Sequence, residues 1–198
     1  MFIRICKITF ITHGATVYST NGIINDKIKT PKLNDMGEEE IKGVCDYLKR
    51  RGVAYDNIYT SPNVCCVESA QIIAKMFKKT PTIIDLNSRM HGSWHGMSYA
   101  DLYDEFGIEF ITQTPDGGED INTFNKRVDK LIKKLVSDNH GSRIIVVTTP
   151  EVIQSAIAKA IGISSKNQNK ILVKTGSLTQ ISYFKGWSSL IYSDYKPL

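Results

Sequence analysis

His13 stands where the apolar alternating run ICKITFIT gives way to Gly14, and an imidazole at the end of a strand can serve as nucleophile or base. The plainer alternative is a histidine held by hydrogen bonds at a strand end, with Gly14 allowing the backbone to turn. Cys65 falls near the start of a helical segment, where a thiol can have a lowered pKa and become nucleophilic; an inert cysteine on an apolar helix face is the commoner case. Arg89 and the nearby lysines Lys29, Lys32 and Lys174 are cations on loops from which an anion could be approached. His91 and His95 are four apart, but HGSWHG contains two glycines and makes a poor helix, so no metal pair is expected; Trp94 between them serves as a packing anchor.

These residues need a scaffold, and the apolar patterning supplies one. Period-two or fully apolar runs at ICKITFI, NIYT, TPTIID, RIIVVT, LTQISYF and SSLIYS predict strands. Helical patterns lie between them. NDMGEEEIKGVCDYLKRRG carries Ile41, Val44, Cys45 and Leu48 on one face, acids early, bases late and a closing Gly52. SPNVCCVESAQIIAKMFKK opens with Ser61 as the expected N-cap and Pro62 at the first helical position. A third helix is expected from about Asp120 to Val136, and a fourth from TTPEVIQSAIAKAIG with Thr149 as cap, Pro150 next and Gly162 near its end. Strands alternating with helices imply crossovers and a mainly parallel sheet covered on both faces, whose ligands bind beyond the carboxyl ends of the strands. His13 and the segment from Thr148 to Glu151 meet there. The irregular stretch from about Leu86 to Pro115 is expected to form a lid over that edge.

Composition narrows the function. The 198 residues, 41% hydrophobic and 23% charged, fit one domain spanning 1–198 and argue against disorder. No run approaches the ~18 apolar residues of a membrane span, and the first residues do not form a signal-peptide core, so a cytoplasmic, unanchored protein is expected. Cys6, Cys45, Cys65 and Cys66 lack zinc-ligand spacing and are expected to be reduced thiols. The net charge of +5 is scattered, which argues for a solvated surface over a nucleic-acid face.

Several segments, in order, resemble the histidine phosphatase superfamily in its phosphoglycerate mutase-like branch. FITHGAT resembles the Arg-His-Gly-Glu-Thr signature, LNDMG the Leu-Thr-x-x-Gly helix start, and IYTSPNVCCVESAQIIA the Ser-Pro-x-x-Arg helix. HGSWHGMSYADL resembles the Gly-x-Trp-Glu-Gly segment, PDGGEDINTFNKRV the Pro-Gly-Gly-Glu-Ser helix start, and RIIVVTTPEVIQSAIAKAIG the strand and helix carrying Ser-His-Gly-Gly. The resemblance implies a three-layer α/β/α sandwich with a mostly parallel central sheet. It also implies that His13 holds the position of the nucleophile that becomes phosphohistidine. Glu119 and Arg127 match structural positions. No cofactor is implied, and a homodimer is compatible with the family's habit of pairing; the aromatic terminus GWSSLIYSDYKPL is read as packing rather than interface.

The match departs at the chemistry. The Arg before the nucleophile is Thr12, the helix Arg falls at Cys65, the second His at Thr149, the following Gly-Gly at Pro150 and Glu151, and the phosphatase acid at Ser88. Losing one preorganised donor typically costs ~10²–10³ in rate, and losing a positioned acid ~10²–10⁴, though such losses do not add. Glu151 would also occupy the place an incoming anion uses at the helix start. Two expectations follow. The first is a catalytically impaired binding, scaffold or regulatory module with an unidentified protein partner. The second is a weak or specialised phosphomonoesterase acting on a phosphorylated ligand through His13, with Arg89 or lysines restoring the lost charge.

Overall fold

The computed structural model describes residues 3–26 and 31–197. A six-stranded sheet runs in the order β3-β2-β4-β1-β5-β6, with β1 at Arg4–Thr12, β2 at Asn57–Thr60, β3 at Thr82–Ile83, β4 at Arg143–Thr148, β5 at Leu178–Phe184 and β6 at Trp187–Tyr195. The β1–β4, β4–β2 and β2–β3 pairs are parallel, whereas β5 lies antiparallel to both β1 and β6. The sheet is therefore mostly parallel, as the alternation of strands and helices implies.

Side-chain alternation divides the core into two faces. Ile8, Phe10, Ile144, Val146 and Ile181 join one buried cluster with α5 (Ile121–Asp138) and α6 (Pro150–Ile161). Ile11, Ile58, Ile145, Val147 and Leu178 join the other with α2 (Asp35–Arg51) and α3 (Val64–Phe77). Because successive strand residues point to opposite faces, a continuous apolar run such as IIVV at 144–147 must be covered on both sides. The result is the α/β/α sandwich that the resemblance implied.

The helix ends follow local chemistry, with one correction. In α2, the Asn34 side chain accepts the Gly37 N–H at 2.8 Å, and Gly52 closes the helix at φ 59°. In α5, Asp120 Oδ1 accepts the N–H groups of Asn122 and Thr123. Ser61 does not cap α3: the cap position is Asn63, and the Ser61 hydroxyl instead donates to the Leu86 carbonyl at 2.6 Å and lies 2.7 Å from Thr148 Oγ1. Buried between two strand ends, that hydroxyl finds partners across the sheet rather than along its own chain.

The stretch from Leu86 to Pro115 contains more regular structure than its loop-like composition indicates. Besides 3₁₀ turns at Gly92–Trp94 and Gly107–Thr112, it holds α4 (Tyr99–Phe106), capped by Ser98; the short α1 spans Val17–Thr20. Trp94, Leu102 and Phe110 form a separate small core with Ile24. Among the described residues, no helix is long and apolar enough to cross a membrane.

Candidate active site

β1 and β4 pair up to Thr12 and Thr148, so the residues after each strand emerge side by side. His13 extends this pairing, its N–H donating to the Thr148 carbonyl at 3.1 Å, and Thr149 leads directly into α6. A cavity of about 540 Å³ opens at this edge, lined by His13, Cys65, Ser88, Thr149 and Glu151, with Asn63, His91, Tyr99 and Lys174 also on its wall.

The position of His13 defines its chemistry. Nδ1 lies 2.8 Å from the Gly14 carbonyl, and a carbonyl only accepts, so Nδ1 carries a hydrogen and, in the neutral ring, Nε2 holds the lone pair. The ring also hydrogen bonds the Cys65 side chain. Burial alone would lower the His13 pKa, but the Cys65 sulfur, the Gly14 carbonyl and the Glu40 carboxylate outweigh it and raise the value. Cys65 is therefore both a core residue of α3 and a wall of the cleft.

The loop bearing His13 is fixed by an unusually close backbone approach. A Cβ on Gly14 would lie 2.2 Å from the Gly37 carbonyl oxygen, and one on Gly37 would lie 2.1 Å from that of Ala15. Neither glycine has a positive φ. Gly14 is thus required for contact with the first turn of α2, rather than for a backbone turn. The Gly14 N–H donates to Ser69 Oγ at 3.1 Å, and the Ala15 N–H to Glu40 Oε2 at 2.9 Å.

Two helices begin at the cleft. Asn63 precedes α3 and Thr149 precedes α6, and neither side chain makes a capping hydrogen bond. The first-turn N–H groups and the positive ends of both helix dipoles are therefore available to an anion. Asn63 Oδ1, Ser88 Oγ, His91 Nδ1 and Thr149 Oγ1 are all buried without a hydrogen-bond partner. Unpaired buried polar atoms are costly, and these four residues line one cavity.

Glu151 does not simply strengthen the α6 start. Its Oε1 lies 2.9 Å from His91 Nε2, joining α6 to the segment before Trp94. The sequence reading considered His91 only as a metal ligand; the fold instead turns it into the cleft. His95 Nδ1 lies 2.9 Å from Asp26 Oδ1, on the carboxylate that also accepts the His91 backbone N–H. Among the described residues, no group of three or more His, Cys, Asp or Glu could hold a metal ion.

Two named positions lie away from the cleft. Thr12 is fully buried and is not part of the cavity wall; its hydroxyl lies 3.3 Å from Ser177 Oγ. Arg89 is also outside the wall, because its Nε donates to the Glu119 carbonyl at 2.8 Å and its Nη2 to the Gln113 carbonyl at 2.7 Å. Those two carbonyls hold the guanidinium beneath the loop, so it does not restore charge beside His13. Of the three lysines, Lys174 reaches the wall, Lys32 is exposed elsewhere, and Lys29 lies outside the described residues.

Ser88 is held by a neighbouring ion pair. Arg127 Nε and Nη2 contact the two Glu119 carboxylate oxygens at 2.9 and 2.8 Å, while Nη1 and Nη2 donate to the carbonyls of Asn87 and Ser88, both at 3.0 Å. Glu119 is buried, so Arg127→Ala leaves a carboxylate without its counter-charge. We expect the variant to lose about 3 kcal/mol of unfolding free energy in urea titrations. An unchanged urea midpoint would show that this pair does not brace the segment.

The α/β/α sandwich thus places an imidazole and two helix starts at the carboxyl edge of its parallel strands. The model of the histidine phosphatase superfamily (branch 1) matches residues 8–192, and the chain belongs to that family. It is 24% identical over 192 residues to adenosylcobalamin/alpha-ribazole phosphatase of Escherichia coli K12, covering 93% of each protein. It is 25% identical over 202 residues to phosphoglycerate mutase-like protein 4 of Arabidopsis thaliana, covering 97% of this chain and 86% of that protein. In structure it resembles phosphoserine phosphatase from Entamoeba histolytica, solved with 3-phosphoglyceric acid, with a TM-score of 0.85, 20% identity and 96% of each chain covered.

These matches correct the expectation of a catalytically impaired module. A relative aligned along nearly the whole chain is named as a phosphatase.

Proposed function

We propose that this chain is a specialised phosphomonoesterase that forms a phosphohistidine at His13. One observation carries the proposal: in the neutral ring Nδ1–H is committed to the Gly14 carbonyl, so the lone pair lies on Nε2, in a ring that also contacts Cys65, at the wall of a cavity with unpaired buried polar groups. The phosphoryl oxygens would meet the first-turn N–H groups of α3 and α6 and the hydroxyls of Ser88 and Thr149. These donors are neutral. Among the described cavity-lining residues, Lys174 is the sole lysine or arginine, so binding relies on helix-end dipoles and hydrogen bonds more than on guanidinium forks.

That difference in clamping explains why the notion of a specialised enzyme fits better than that of a fast general one. A neutral donor set stabilises a spread negative charge less strongly than charge-assisted bonds, which are roughly twice as strong. Phosphoryl transfer still requires little beyond positioning and electrostatic stabilisation, both of which a fixed imidazole between two helix starts can provide. The test is hydrolysis of p-nitrophenyl phosphate by purified protein in the presence of a chelator, with and without vanadate. Turnover inhibited by vanadate is expected. No turnover above that of the heat-denatured protein would overturn the proposal.

A further inference from the structure

The His91–Glu151 pair is the feature of the cleft that the phosphohistidine reading leaves unused. Its members come from different parts of the fold: Glu151 from the first turn of α6, His91 from the segment just before the 3₁₀ turn containing Trp94. Their contact is direct, with Nε2 2.9 Å from Oε1, and both residues line the cavity that contains His13. Ser88, at the position of the usual phosphatase acid, has no ionisable side chain. A leaving alkoxide in this cleft therefore needs another proton source.

We propose that His91 and Glu151 together form the relocated general acid and base of this active site, a role that rests on the phosphomonoesterase reading above. In the first step the His13 Nε2–P bond forms as the ester P–O bond breaks, and the pair gives its proton to the departing oxygen. In the second step the pair, now one proton short, takes a proton from water as the water oxygen attacks phosphorus. The N–P bond breaks, inorganic phosphate leaves, and both the imidazole and the pair return to their starting states.

The surroundings suit a proton-holding pair. Burial of His91 works against its charged form, but the Glu151 carboxylate outweighs that effect and raises the His91 pKa. Arg89, packed on the same segment, acts in the opposite direction, while Asp26 adds to the rise and also accepts the His91 backbone N–H. Tyr99 from α4 lines the same cavity. The loop is held in place at Gly92, whose φ is 50° and where a Cβ would lie 2.1 Å from the Asp116 carbonyl oxygen.

The deciding experiment compares kcat/KM for two esters that differ in how much their leaving group needs a proton. p-Nitrophenolate departs readily without one; the alkoxide of β-glycerophosphate does not. His91→Gln is expected to lower kcat/KM for β-glycerophosphate about 100-fold more than for p-nitrophenyl phosphate. Glu151→Gln, which keeps the shape of the pair but removes its charge, is expected to move the alkaline limb of the β-glycerophosphate profile to lower pH. The reason is that the carboxylate no longer favours the imidazolium. Equal losses on both esters together with an unmoved alkaline limb would overturn the proposal, even where wild-type turnover upholds the phosphatase reading. Absence of wild-type turnover on either ester would instead defeat the reading on which it rests.

Discussion

Replacing His13 with alanine is expected to lower kcat for p-nitrophenyl phosphate by about 10³-fold or more while leaving the protein folded. The proposed route has no alternative covalent acceptor once Nε2 is gone, and the remaining donors can only position a phosphate for direct attack by water. The side chain is a cleft wall that hydrogen bonds the adjacent Gly14 carbonyl and the Cys65 side chain, so its removal opens the existing cavity rather than breaking the core. The neighbouring thiol supplies the internal control. Cys65 contacts the same ring, and if its sulfur were the attacking atom, Cys65→Ser would be the more damaging change. We expect the reverse order: Cys65→Ser retains most of the turnover, and His13→Ala retains almost none. Steady-state rates of the two variants, with circular dichroism to verify folding, decide the matter.

The second large effect concerns packing. Gly14→Ala would place a methyl group 2.2 Å from the Gly37 carbonyl oxygen, and the obstacle is backbone held by the Asn34 cap of α2. Neither side can give without disturbing the strand end or the helix start. We expect a loss of about 3 kcal/mol, corresponding to a fall of about 10 °C in melting temperature for a domain of this size. The same displacement would carry His13 with it, and a shift of about 1 Å in a reacting group can cost about 10²-fold in rate. Differential scanning calorimetry and activity should therefore fall together. A variant with unchanged stability would show that the contact between the His13 loop and α2 is looser than described.

The strands and the longer helices were legible because their cores impose periodicity. IIVV, residues 144–147, is apolar throughout because Ile144 and Val146 pack on one face while Ile145 and Val147 pack on the other. The site was legible only in part. His13, Cys65, Ser88, Thr149 and Glu151 do meet at one cavity, as their places in the ordered segments implied. His91 and Asn63 were not assigned there, because a loop side chain's direction depends on tertiary contacts such as the tight approach at Gly92. Arg89 shows the converse. Its charge and sequence position suggested the cleft, but two carbonyl acceptors across the loop determine where the guanidinium lies. Helix α4 went unassigned although its Ser98 cap, its apolar Leu102 and Phe106 and the closing Gly107 were present, because neighbouring glycines gave the stretch an irregular composition.

Thr149 and Glu151 stand where the resemblance implies a second His and a glycine. In the fold, the Thr149 hydroxyl makes no cap bond and Glu151 contacts an imidazole from another segment. A substitution that removes a charge at one position can thus accompany a polar group arriving from elsewhere. Such exchanges between neighbours in space leave no signature at any single sequence position.

The most direct measurement is the chemical state of His13 during turnover. Protein mixed with excess p-nitrophenyl phosphate, quenched within the first turnovers under alkaline denaturing conditions and examined by intact and peptide mass spectrometry, should carry one acid-labile phosphoryl group on the peptide containing His13. Hydrolysis proceeding with that peptide unmodified, or with the phosphoryl group on Cys65, would contradict the account.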